Sequence, residues 1–243
     1  MGCRICGADT IKAHLLPRAF AEQVKLGSHQ RQVIAYPGID RFRTFNHGQY
    51  DADLLCGGCD GVLGELERKA FRAFNAGRAV TVESGEVLPL QITGDDLILF
   101  CAAIVWKYAA CTSYKLSVGP YLGLLQEALF SGAALPPFVD AFGARIWTGN
   151  DQVYYYREPL LVRAHGVNFV RFSLGGFLLH LKLDQRPTPP LPPATFWLRG
   201  KSVATTLVMR FEDSPDWHDF QRLRGNTRLQ SFLERNERQS QGG

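Results

Sequence analysis

The sequence predicts an α+β protein in two parts: a small metal-stapled unit over residues 1–80, then a helix plus antiparallel-sheet domain over residues 81–243. Three observations carry that expectation. Paired C-x-x-C motifs stand at Cys3/Cys6 and Cys56/Cys59, in a loop-rich stretch with too little apolar surface to hold itself together without a metal. The apolar run from Leu97 to Trp106 is hydrophobic on most sides, the character of a buried helix. Between Ala144 and Asp184, five short runs rich in β-branched and aromatic residues are separated by turn residues.

Taken in order, an irregular stretch from about Gly27 to Asn46 carries His29, Arg31, Arg41 and Arg43, with His47 just beyond. From Gly61 to Asn75 the positions of Val62, Leu63, Leu66, Ala70, Phe71 and Phe74 predict an amphipathic helix, with Gly77 ending it. Residues 81–93 alternate as a short strand or hairpin about Ser84-Gly85-Glu86, and the second domain starts there. Asp95 and Asp96 open a helix reaching about Thr112, and another spans roughly Gly119 to Ser131. The sheet runs are A-R-I-W-T, Q-V-Y-Y-Y-R-E, L-L-V-R-A, V-N-F-V-R-F-S-L and F-L-L-H-L-K-L, broken by G-N-D, E-P, H-G and G-G. R-P-T-P-P-L-P-P makes an extended connector, a last strand around Val203 to Phe211 rejoins the sheet, and a polar helical tail occupies about residues 213–243.

Composition narrows the function classes. Hydrophobic residues at 46% and charged residues at 21% are ordinary for a globular protein, and Lys107 ends the longest apolar run far short of the roughly 20 residues of a membrane span. The N-terminus has no basic segment followed by an apolar stretch, so a cytoplasmic location is expected and the six cysteines are expected to stay reduced. A net charge of +4 permits a polyanionic partner without requiring one.

Four cysteines in two such pairs, the second at a helix start, supply a closed tetrahedral set for structural zinc. A helix N-terminus also favours thiolate over thiol. A redox C-x-x-C or unliganded core cysteines are the competing readings, each of which explains one pair more readily than two. Cys101 and Cys111, ten apart in the apolar segment, read as core residues. Tyr154, Tyr155 and Tyr156 read either as core-covering aromatics or as a stacking surface for bases.

Between the cysteine pairs lies K-A-H-L-L-P-R, at residues 12–18. The order C-x-x-C, His-apolar-apolar-Pro, then an acidic residue five positions before a second C-x-x-C and another directly after it, resembles the HNH (ββα-metal) endonuclease family. The resemblance covers about 70 of the 243 residues and implies a treble-clef zinc scaffold holding two strands and a helix around a catalytic Mg2+ or Mn2+ ion. It makes His14 the general base, Asp51 its orienting partner and Asp60 a ligand of the catalytic ion. Ala13 stands where the family places its first metal ligand, so another carboxylate, Asp53 or Glu67, would have to serve. The 42 positions from His14 to Cys56 exceed the compact family spacing, consistent with an inserted loop.

On this reading Arg18, Arg31, Arg41 and Arg43 hold the phosphate backbone of DNA, and the chain hydrolyses its phosphodiesters, in the phage-defence or mobile-element settings where the family occurs. The alternative is a catalytically silent treble clef that binds nucleic acid or protein. Residues 81–243 then act as sensor or interaction platform.

Overall fold

The computed structural model describes residues 2–24, 32–35, 42–45, 49–114, 116–149 and 155–241, with backbone alone at 32–35, 42–45, 233 and 236–241. Arg31, Arg41, His29, His47 and Tyr154 lie outside the described residues, as does the side chain of Arg43.

The N-terminal part contains β1 (Ala13–His14), α1 (Arg18–Gln23), β2 (Gln32–Ala35), β3 (Phe42–Phe45), β4 (Tyr50–Asp51) and α2 (Gly57–Ala79). β1 pairs with β4 and β2 with β3, both antiparallel. The strand β5 (Val87–Leu90) and the helices α3 (Gly94–Ala110) and α4 (Tyr121–Phe130) follow. Next come β6 (Val139–Trp147), β7 (Arg157–Ala164), β8 (Val167–Leu174), β9 (Phe177–Leu183) and β10 (Ala204–Arg210). The chain closes with α5 (Trp217–Arg224) and α6 (Thr227–Gln241).

Six strands form one sheet in the order β5-β10-β6-β9-β8-β7. All neighbours are antiparallel except β10 and β6, which run parallel. Both hairpins from β7 to β9 turn on two residues of positive φ, His165/Gly166 (50° and 77°) and Gly175/Gly176 (60° and 84°). Two successive positive φ values match the right-handed twist of the flanking strands. Glu158-Pro159 does not end a strand as the sequence suggested. It lies inside β7, where the register to β8 shifts, and proline is tolerated at a bulge on an edge strand.

Helix α3 crosses the sheet with α2 and α4 beside it. Its N-cap Thr93 accepts from Asp96 N at 3.1 Å, and Leu97 to Lys107 are buried except for Leu99. Cys101 and Cys111 are buried here, as expected of core cysteines, and burial pushes both thiols up. On the far face of the sheet, Phe211 and, from α5, Trp217 and Phe220 cover Ile146 and Leu178. Trp197, after the proline-rich connector, covers Val167 and Phe169. Tyr155 stacks on Phe211 at 4.8 Å, and the Tyr156 hydroxyl donates to Tyr108, so both tyrosines face inward.

Helix α2 is longer at both ends than its apolar pattern implied. It begins at Gly57 because Cys56 caps it, and Gly77 is a buried interior residue. A Cβ at Gly77 would lie 2.7 Å from Leu90 Cδ2, so the glycine admits β5 rather than stopping the helix. Past it, the Arg145 guanidinium of β6 donates to Arg78 O (2.8 Å) and Val80 O (2.6 Å), satisfying terminal carbonyls that a helix leaves unpaired. Residues 81–86 form a turn with no strand, and the tail forms two helices rather than one.

One buried apolar cluster runs from Cys3 to Val208 and takes residues from both sides of position 80. Its joint is aromatic: Phe20 of α1 lies 5.1 Å from Phe71, and Phe74 of α2 stacks at 4.2 Å on Phe177 of β9.

Candidate metal centre

The first cysteine pair sits in a tight turn. Cys3 N donates to Ala8 O (2.7 Å) and Gly7 N to Cys3 O (2.8 Å), with Gly7 at φ +76°. A Cβ at Gly2 would come within 2.3 Å of Gly7 O, so the backbone closes on itself as only glycine allows. The second pair opens α2, with Cys56 as N-cap accepting from Cys59 N at 3.5 Å. Backbone bonds from Arg4 N to Leu54 O (3.1 Å) and Ile11 N to Leu55 O (2.9 Å) tie the two pairs together.

The outcome is a cluster of four sulfurs whose Sγ atoms all lie within 4.8 Å of one another, able to hold a metal ion such as zinc. Cys6 Sγ is 3.6 Å from Cys56 Sγ and 3.8 Å from Cys59 Sγ. A tetrahedral ion with Zn–S bonds of about 2.3 Å sets its sulfurs about 3.8 Å apart, so the spacing fits zinc. At Cys3, burial alone would raise the thiol, but hydrogen bonds from the backbone of Cys6, Ile5 and Cys56 outweigh it and lower the pKa to about 6. Cys56 is lowered, chiefly by the Cys59 backbone N–H, while Cys59 is raised by burial and its sulfur neighbours. Four protein ligands leave no open position, the mark of a structural rather than a catalytic site.

Beside this centre stands the two-stranded ribbon, with Ala13 opposite Asp51 and His14 opposite Tyr50. Side chains alternate faces along a strand, so Ala13 and Asp51 share one face and His14 and Tyr50 the other. Ala13 is fully buried, and Asp51 is 3% exposed. Asp51 Oδ1 accepts from Asp53 N (2.8 Å), and Oδ2 accepts from Thr112 N (2.9 Å) and Thr112 Oγ1 (3.1 Å). The expected orienting partner of His14 therefore fastens the end of α3, facing away from His14.

Asp60 lies in the first turn of α2, half-buried, its N–H bonded to Cys56 O at 2.9 Å. Arg18 projects from α1 with its side chain 79% exposed. Among the described residues, the four cysteines are the only metal-ligating cluster of three or more, and His14, Asp51, Asp53, Asp60 and Glu67 assemble no second one.

Sequence reasoning missed what Glu67 does. Its carboxylate accepts from Lys107 Nζ at 2.5 Å, and the same ammonium donates to His14 O at 2.7 Å. Lys107, 1% exposed, thus joins α3 to α2 and to β1. The signal was present: a lysine flanked by Trp106, Tyr108, Ala109 and Ala110 in a buried helix needs an internal anion. A second network was also missed, in which Tyr108 Oη donates to Gln49 Oε1 (2.7 Å) while Gln49 Nε2 and Tyr114 Oη both donate to Glu158.

Fold and site together define an α+β protein with a four-cysteine centre able to hold a metal. Compared with known protein families, with curated proteins and with solved structures, the chain matches none. No helix among the described residues is long and apolar enough to cross a membrane.

Proposed function

We propose that the chain is a zinc-stapled nucleic-acid-binding protein in which the HNH-like segment, built as a treble clef, serves as scaffold rather than as nuclease. The observation that carries this reading is the commitment of Asp51: three donors occupy its two oxygens, and its neighbour across the ribbon is the buried Ala13. One of the positions that metal-dependent hydrolysis would draw on is spent on holding the ribbon to the end of α3, and the other carries no ligand atom.

The segment between the two halves of that scaffold is cationic in composition. Residues 25–48, inserted between α1 and β4, carry Lys25, Arg31, Arg41 and Arg43 against a single acid, Asp40. Arg18, exposed and 3.7 Å from the Glu22 carboxylate, stands at the entry to that insertion. Charges of this kind bind the phosphate backbone with little regard to sequence.

A nuclease reading keeps one support: His14 sits on a two-stranded ribbon beside a helix that starts in C-G-G-C, with its carbonyl pinned by Lys107. Incubating the zinc-loaded chain with supercoiled plasmid and Mg2+ or Mn2+ separates the two. The binding reading expects a gel shift that weakens steeply with salt and with Arg41→Gln/Arg43→Gln, and no nicking. Nicking that His14→Ala abolishes at unchanged zinc content would replace it with the nuclease reading.

A further inference from the structure

The ribbon of β1 and β4 has two faces, and they are used differently. Inward, Ala13 and Asp51 are buried, and Gln49, one position before β4, is buried with its side-chain amide bonded to Tyr108 and Glu158. Outward stand His14 and Tyr50, and Tyr50 is 44% exposed. Among the described residues, Trp147 at the end of β6 is the only other exposed aromatic side chain.

The two exposed rings differ in the cations beside them. Trp147 is aligned with Arg210 of β10, whose guanidinium donates to Asp213 at 2.8 Å and is thereby neutralised. Tyr50 has the exposed Lys12 ammonium over its ring, 5.4 Å from the centroid, and among the described residues no carboxylate pairs with that ammonium. Chain continuity adds positive charge: Tyr50 stands two positions after residues 25–48, with their Lys25, Arg31, Arg41 and Arg43. An exposed aromatic ring beside an unneutralised cation is complementary to one nucleotide, the ring to its base and the ammonium to its phosphate.

Resting on the nucleic-acid-binding reading above, we propose that the outer face of the ribbon is a stacking platform for an unpaired base, with Tyr50 as its floor, and that the chain therefore prefers single-stranded to duplex nucleic acid. A base inside a duplex has both faces stacked on its neighbours, so only an unpaired one can lie on a side chain. Lys12, held at the ring, meets the adjoining phosphate. Every base has a π-face, so the platform distinguishes strandedness and not sequence.

The test titrates the full zinc-loaded chain against a short labelled single strand and against the same sequence as a duplex, by fluorescence anisotropy at matched salt. The single strand should bind more tightly. Tyr50→Ala should weaken it roughly 5- to 150-fold, the range for one stacked base, and leave the duplex unchanged. Tyr50→Phe should restore the preference, and Lys12→Gln should lower the salt slope for the single strand by about 0.7. A single strand carrying 5-iodouracil should photocross-link to Tyr50, located by mass spectrometry. Both substituted positions are exposed, and unchanged zinc content and melting check that the variants fold. A duplex bound as tightly as the single strand, a preference that survives Tyr50→Ala, or cross-links confined to other residues overturns the platform. In those cases, salt-sensitive binding that Arg41→Gln/Arg43→Gln weakens keeps the broader nucleic-acid-binding reading. Absence of binding to either form overturns both.

Discussion

The four-cysteine corner and the ribbon beside it carry equally suggestive residues and end in opposite states. At the corner, four sulfurs converge on one point, and the N–H groups that reach them lower two of the thiols. On the ribbon, the Asp51 carboxylate is surrounded by donors that already satisfy it, and Lys107 is closed off by Glu67 and His14 O. Convergence of ligands without enough protein donors marks a place for an ion, whereas a saturated carboxylate marks a joint. Residue type alone does not separate the two.

Metal removal should have the largest effect. Structural zinc contributes an apparent ~10–16 kcal/mol to folding of zinc-finger peptides, as much as the whole stability of an ordinary domain. Metal analysis should return one zinc for the single cluster, and chelation or Cys56→Ala should lower the melting temperature sharply. A melt that ignores chelation would break the comparison at its root.

Glu67→Gln comes next. It strands the buried Lys107 ammonium, for which a loss of about 3–5 kcal/mol in urea unfolding is expected. Glu67→Leu with Lys107→Met should recover most of it, short of the roughly 1 kcal/mol attached to His14 O, which loses its donor. Recovery no better than the single variant would mean that the ion pair itself, not its completeness, holds the joint.

His180 offers a third case, a buried Nδ1 that among the described residues has no hydrogen-bond partner and no other ligand converging on it. Its ring stacks on Phe142 at 4.5 Å, and burial, assisted by the charge of Arg171, pushes its pKa down to about 3. An unfolded histidine takes up its proton near pH 6.5, so between that pH and about 3 the unfolded chain binds the extra proton and stability falls as pH falls. By pH 5 the loss amounts to about 2 kcal/mol, and none arises above pH 7. Urea midpoints measured across this range should show a flatter acid limb in His180→Phe. An unchanged slope would assign the acid sensitivity to other groups.

Asp51→Asn should have the smallest effect, about 1 kcal/mol, because the amide keeps one acceptor and loses only the charge-assisted part of its bonds. A neutral or stabilising result would show that the carboxylate is not needed as a joint, and would return Asp51 to the hydrolytic reading.

Much of this was legible in the chain. β8 and β9 fall where V-N-F-V-R-F-S-L and F-L-L-H-L-K-L place them, since alternation and glycine turns are local properties. The cysteine pairs announced their cluster by spacing. What escaped depended on partners remote in sequence: Gly77 reads as a stop until Leu90 is seen against it, and Glu158-Pro159 reads as a break until the bulge is paired with β8. The same holds for Asp51, whose partner Thr112 is 61 positions away. Short-range pattern cannot tell a ligand from a joint, because the distinction lies in which distant donors arrive.

The pairing of β10 with β5 also sets a timetable for synthesis. β5 leaves the ribosome directly after α2, yet its one neighbour in the sheet is β10, whose first paired residue, Ala204, follows Leu90 by 114 positions. At about 5–20 residues per second, β5 waits roughly 6 to 23 seconds for that neighbour. The four cysteines, all within the first 59 residues, meet one another well before then.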